Sequence, residues 1–166
     1  MPVHPARLPS EDEITAFERD GAVALKGVYQ PEWIDLLRDG VDEAMCTSDR
    51  YTRRIQDEGE PDFFTDYIAS DRVPALKRFA LEGPAAELSA AIMRSRRANF
   101  LFDGIFVKEA GVAKPSVWHQ DQPYYCAEGR QVVVIWAPLD SVPADTCLQC
   151  VRGSHTWGTA FRPVKF

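Results

Sequence analysis

The sequence is short of several things, and each shortage argues against a class of protein. No run of 18 apolar residues occurs among its 166, so no membrane-spanning helix and no membrane partner are expected. Cations are in the minority, with 19 Lys and Arg against 25 Asp and Glu and a net charge of −6. A phosphate backbone needs a basic face, so no nucleic-acid partner is expected. The four cysteines, Cys46, Cys126, Cys147 and Cys150, do not look like a disulfide framework in a chain this long. A reducing, cytoplasmic setting is the simpler expectation. Met1 to Ser10 holds three prolines and no apolar core, which is not the pattern of a signal peptide. There is no internal repeat and no low-complexity tract. Histidine occurs three times, and His4 sits in the proline-broken start, where no role is expected for it.

What is present is a chain 45% hydrophobic and 11% aromatic, enough for one globular domain over 1–166 with a real core. The part up to residue 97 reads as mainly helical. Ser10-Glu11-Asp12-Glu13 has the form of a capping box, and Gly21 is the matching stop. Val23 to Leu25 reads as a brief strand. Pro31 opens a helix whose Trp33, Ile34, Leu37, Val41 and Met45 recur at spacings of three and four. Thr47 to Pro61 reads as a polar loop, and Phe63, Phe64 and Tyr67 as core anchors beneath it. Ser70 or Asp71 caps a helix through Leu81, and Pro84 starts another through Arg94. Arg94, Arg96 and Arg97 read as a solvated helix end, where cations suit the dipole.

Residues 98–166 read as strands. Asn99 to Lys108 is β-rich, with Gly104 as a bulge; Gln131 to Trp136 has the strongest strand pattern and is expected to be central; Cys147 to Val151 is a further short strand. Ala110 to Pro115 connects to a motif strand from Ser116 to Asp121. Along a strand, side chains alternate between faces, so His119 and Asp121 point one way and Trp118 and Gln120 the other. One imidazole and one carboxylate on one side make two-thirds of the facial triad that holds non-haem Fe(II). Helices followed by strands indicate an α+β fold, and short strands between Gly and Pro turns fit a jelly roll.

Four segments, in order, resemble the phytanoyl-CoA dioxygenase family of Fe(II)- and 2-oxoglutarate-dependent oxygenases. They are Phe17 to Val28 (FERDGAVALKGV), Val107 to Asp121 (VKEAGVAKPSVWHQD), Val134 to Leu139 (VIWAPL) and Thr146 to Gly158 (TCLQCVRGSHTWG). The resemblance implies a helical N-terminal region followed by a double-stranded β-helix, here partial. It implies His119 and Asp121 as iron ligands, 2-oxoglutarate as cosubstrate, O2 as oxidant, and hydroxylation of a small or lipid-like molecule. Lys108 and Trp136 then flank the cosubstrate, and Gln122, Tyr124 and Tyr125 line the way in for substrate. A homo-oligomer is compatible with the open sheet edges expected.

The family also requires a third ligand, a distal His, and an Arg for the far carboxylate of 2-oxoglutarate, since a guanidinium matches a carboxylate bidentately. After Asp121 the chain holds one histidine, His155, 34 residues on, with Arg152 and Arg162 as candidates for the anion. His155 falls in the Gly-Ser-His segment, which precedes the distal ligand in the family, so it reads as structural or supporting ahead of an iron ligand. Three explanations follow, in order: the N-terminal part of a longer protein, a short product without the activity, and a chain completed by a partner. Two further alternatives are a non-catalytic jelly-roll ligand binder and a zinc module on Cys126, Cys147, Cys150 and His155. Against the zinc module, residues three apart on a strand face opposite ways.

Overall fold

The computed structural model describes residues 3–55, 61–112 and 116–162. Parts of the expected polar loop (56–60) and of the connection before the motif (113–115) lie outside the described residues. Helix α1, Glu11–Asp20, begins at the expected capping box. The Ser10 hydroxyl accepts the Glu13 N–H at 3.2 Å, and the Glu13 carboxylate accepts the Ser10 N–H at 2.8 Å. The same carboxylate takes two N–H bonds from Arg7, each 2.7 Å. Those bonds from Arg7 first, and the Ser10 N–H second, lower the Glu13 pKa from 4.5 to about 2. Gly21 ends the helix at φ 83, a left-handed conformation that suits glycine.

Helix α2, Pro31–Cys46, buries Trp33, Leu37, Gly40 and Ala44, so the expected stripe holds in its centre and Val41 and Met45 pack at its margin. Gly40 is where α3, Pro74–Glu82, comes closest. A Cβ there would lie 2.7 Å from Leu76 Cδ2. Helix α4, Ala85–Ile92, follows with Leu88 and Ile92 inward. Just beyond it Arg94 pairs with Glu11 and Glu18 of α1. It therefore joins two helices, where a solvated basic end was expected. These exposed pairs contribute little energy each, and their role is placement.

The sheet has three antiparallel strands in the order β1 (Arg53–Ile55), β2 (Phe63–Tyr67), β3 (Gly104–Lys108). Phe64 and Asp66 alternate onto the face that carries Ile105 and Val107, against the helical core. Phe63, Tyr67, Phe106 and Lys108 share the other face. Asp66 has no exposed surface. Its partner is Arg72, which also donates to Thr47 Oγ1 at 3.2 Å, while Thr52 Oγ1 donates to Asp66 at 3.3 Å. Next to it, Asp103 accepts from Ser70 Oγ at 2.5 Å, and its carbonyl accepts the Ile68 N–H at 3.0 Å. These bonds secure Ile68 at φ 60, a backbone region that a β-branched residue seldom occupies.

Several expectations need correction. Val23 to Leu25 forms no strand, whereas 53–55, expected as loop, pairs with β2. Ser70 and Asp71 form a 3-10 turn, and α3 is capped at Val73. Gly104 is no bulge: it pairs in register with Tyr67. Ser116 to Asp121, Gln131 to Trp136 and Cys147 to Val151 run without ladder partners among the described residues. Far from being central, Val134 is 54% exposed and Trp136 48%. Strand propensity reports fit to a pleated, half-buried surface, and it is not realised without a neighbouring strand. Side chains dock this part of the chain instead. Arg38 donates twice to the Leu139 carbonyl, at 3.1 and 2.6 Å, and Gln131 donates to the Met93 carbonyl at 3.3 Å. The architecture is thus helices with a small antiparallel sheet, a mixed α+β fold. No described helix is long and apolar enough to cross a membrane.

Two outcomes follow. Asp66→Ala leaves Arg72 without its buried partner and should lower the urea unfolding free energy by about 3 kcal/mol. The Glu13 pKa is lower in the folded chain, so its contribution is present above 4.5 and is lost as pH falls toward about 2. The difference in thermal midpoint between wild type and Glu13→Gln should therefore be full at neutral pH and vanish near pH 2.

Candidate metal centre

The motif segment, 116–120, has no regular secondary structure, and Asp121, with a helical backbone at φ −71 and ψ −39, leads into a 3-10 turn, Gln122–Tyr124. Pro123 suits that turn, and the Tyr124 N–H reaches the Asp121 carbonyl at 2.9 Å. His119 Nδ1 lies 2.7 Å from the Val117 carbonyl oxygen. A carbonyl can only accept, so Nδ1 carries the hydrogen and donates it. In the neutral ring Nε2 is then an acceptor, and it faces Asp121 Oδ1 at 3.1 Å. Two acceptors converge there, and either a second ring proton or a cation must join them. Adjacent ligands with bonds of about 2.1 Å at a right angle stand about 3 Å apart, so the pair fits one ion. An imidazole with a carboxylate is a donor set for Fe(II). The bond from Nδ1 to a backbone carbonyl is the outer contact that ligating histidines use to set ring orientation.

An aromatic wall stands beside the pair. The Tyr124 ring meets the His119 ring edge-on at 5.9 Å. Tyr125 packs on Phe102 at 5.4 Å, Phe102 on Tyr67 at 6.4 Å, and Tyr67 on Phe106 at 5.7 Å. Burial first, and the negative charge of Asp121 second, push the Tyr67 and Tyr125 phenols above their ordinary value of 10. Both hydroxyls therefore stay protonated beside the carboxylate at neutral pH. Gly104 leaves room for this wall, because a Cβ there would sit 3.3 Å from the Phe106 ring and 3.4 Å from Tyr67. Tyr67, Phe102 and Phe106 had no place in the sequence-derived site. The alternation along β2 was the available signal: with Phe64 inward, Tyr67 must face out.

The other expected residues are distributed as follows. Lys108 Nζ lies 5.0 Å over the Phe63 ring and 3.4 Å from Ser116 Oγ, which ties β3 to the start of the motif segment. Trp136 is half exposed. The Gln122 amide donates to the Ala127 carbonyl. Gln120 bonds Thr159 and Phe161. His155 is elsewhere, on the C-terminal end of α1. Its Nε2 lies 3.0 Å from the Glu18 carbonyl, and the ring covers Gly21, where a Cβ would come within 2.4 Å of Nδ1. The Gly153 N–H donates to the Asp20 carbonyl at 2.8 Å. The Gly-Ser-His segment is thus a clasp on a helix end, where exposed carbonyls need donors. Among the described residues no three His, Cys, Asp or Glu side chains converge on one point, so neither His155 with the pair nor the zinc set with Cys147 and Cys150 is assembled there.

Gly21→Ala displaces His155 and holds an alanine at positive φ, and it should cost about 1–2 kcal/mol by chemical denaturation. His155→Ala removes the bond to the Glu18 carbonyl and should also lower stability by the same measurement.

The family model for phytanoyl-CoA dioxygenase (PhyH) matches residues 17–165. Comparison with curated proteins and with solved structures finds no match. The matched span runs from α1 through the His119–Asp121 pair and past the His155 clasp, and on that extent the chain belongs to the phytanoyl-CoA dioxygenase family.

Proposed function

We propose that this chain is an Fe(II)- and 2-oxoglutarate-dependent dioxygenase that hydroxylates a small or lipid-like molecule, built on a partial double-stranded β-helix and without the expected distal His and cosubstrate Arg at the metal pair among the described residues. Family membership points to the oxygenase superfamily. The observation that carries the reading to residues is the convergence of His119 Nε2 and Asp121 Oδ1 at 3.1 Å, with Nδ1 already committed to the Val117 carbonyl.

His119 and Asp121 would hold the iron, leaving positions for cosubstrate and oxygen. Iron and 2-oxoglutarate would supply the chemistry with O2 as the oxidant, giving succinate and CO2 as coproducts; the protein's own residues supply position. The Val117 carbonyl keeps the imidazole in the ligating tautomer. Tyr67 and Tyr125 stand beside the carboxylate, and Phe102 and Phe106 pack against them. Lys108, on the same sheet face, offers a countercharge to a cosubstrate carboxylate, and Trp136 an apolar surface. Gln122 and Tyr124 lie beside the metal pair, where substrate would approach.

Conversion of 2-oxoglutarate to succinate that needs both iron and O2 should be measurable, and should fall to background in His119→Ala and Asp121→Ala. Turnover that survives both substitutions would refute the assignment. Iron uptake with no turnover would place the chain with non-catalytic ligand binders.

A further inference from the structure

Gln120 stands between the two proposed ligands and uses its amide in both senses. Nε2 donates to the Thr159 carbonyl at 2.9 Å, and Oε1 accepts the Phe161 N–H at 2.9 Å. One side chain thus makes the pair of bonds by which a strand residue grips its neighbour. The amide orientation follows from its partners, since a carbonyl only accepts and an N–H only donates. The gripped segment is itself anchored. Phe161 packs edge-on against Trp157 at 6.3 Å, and Trp157 follows the turn whose His155 clasps α1.

The motif segment has no ladder of its own to fix its rotation about the chain axis. His119 and Asp121 meet at 3.1 Å while Gln120, between them in sequence, is bonded to 159 and 161. We infer that Gln120 is a positioning residue for the metal site: by clamping 159–161 on one side of the chain, it keeps His119 and Asp121 converged on the other. The inference rests on the reading of that pair as metal ligands. Without the clamp the two side chains must be ordered anew at each binding event, and affinity falls by that ordering cost.

The test is an anaerobic titration of the full chain with Co(II) alone, followed by its ligand-field absorption. Gln120→Met keeps the length of the side chain and removes the amide. Phe161→Pro removes the N–H from the opposite partner. Each should raise the Co(II) dissociation constant about tenfold or more, the scale for outer contacts of a metal ligand, and should alter the absorption bands. The thermal midpoint of the metal-free protein should stay near that of wild type. Unchanged affinity and spectrum in both variants would overturn the inference, as would a loss of affinity that only tracks unfolding. Wild-type protein that takes up no Co(II), or takes it up equally after His119→Ala, would overturn the metal site itself, and this inference with it.

Discussion

A carboxylate with no exposed surface must be paired, and in this protein the pairing of Asp66 with Arg72 sets the position of the central strand. The pair reaches from β2 to the turn before α3, and through Thr47 and Thr52 to the end of α2 and the start of β1. Its net energy is modest, because desolvation offsets much of the attraction. Its consequence is geometric. With Asp66 held inward, Tyr67 must point outward, and it becomes part of the aromatic wall beside Asp121. The polarity of one buried residue thereby decides which side of the sheet can host chemistry.

The helices were legible because their signals are local. Ser10 and Glu13 close a box within one turn, Pro31 fits a first turn, and Trp33, Leu37 and Ala44 bury at helical spacing. The strands were less legible because pairing is not local. Gln131 to Trp136 has the best strand composition in the chain and finds no ladder partner among the described residues, while Arg53-Arg54-Ile55 reads as loop and is drawn into the sheet by the edge of β2. The His119–Asp121 pair was expected to converge on the premise of a strand. A carbonyl bond at Val117 and a 3-10 turn after Asp121 achieve the same convergence without one. Tyr67 comes from β2, and Phe102 and Phe106 from the run that ends in β3, and only the pairing of those two segments brings the three together.

Three different contacts converge on one short segment. Val117 orients the imidazole, the tyrosines border the carboxylate, and Gln120 holds the backbone between them. Ligating side chains depend on such outer contacts for orientation and basicity. In the proposed oxygenase, these contacts, rather than a ladder of hydrogen bonds, keep the ligands together. The same economy applies to His155, whose bond to Glu18 secures a loop against α1.

X-ray absorption at the iron edge, on protein loaded anaerobically with Fe(II), tests the central claim most directly. The account predicts a shell of nitrogen and oxygen alone, with the outer scattering of a coordinated imidazole that disappears in His119→Ala. A sulfur neighbour near about 2.3 Å, or an iron shell with no imidazole, would contradict it.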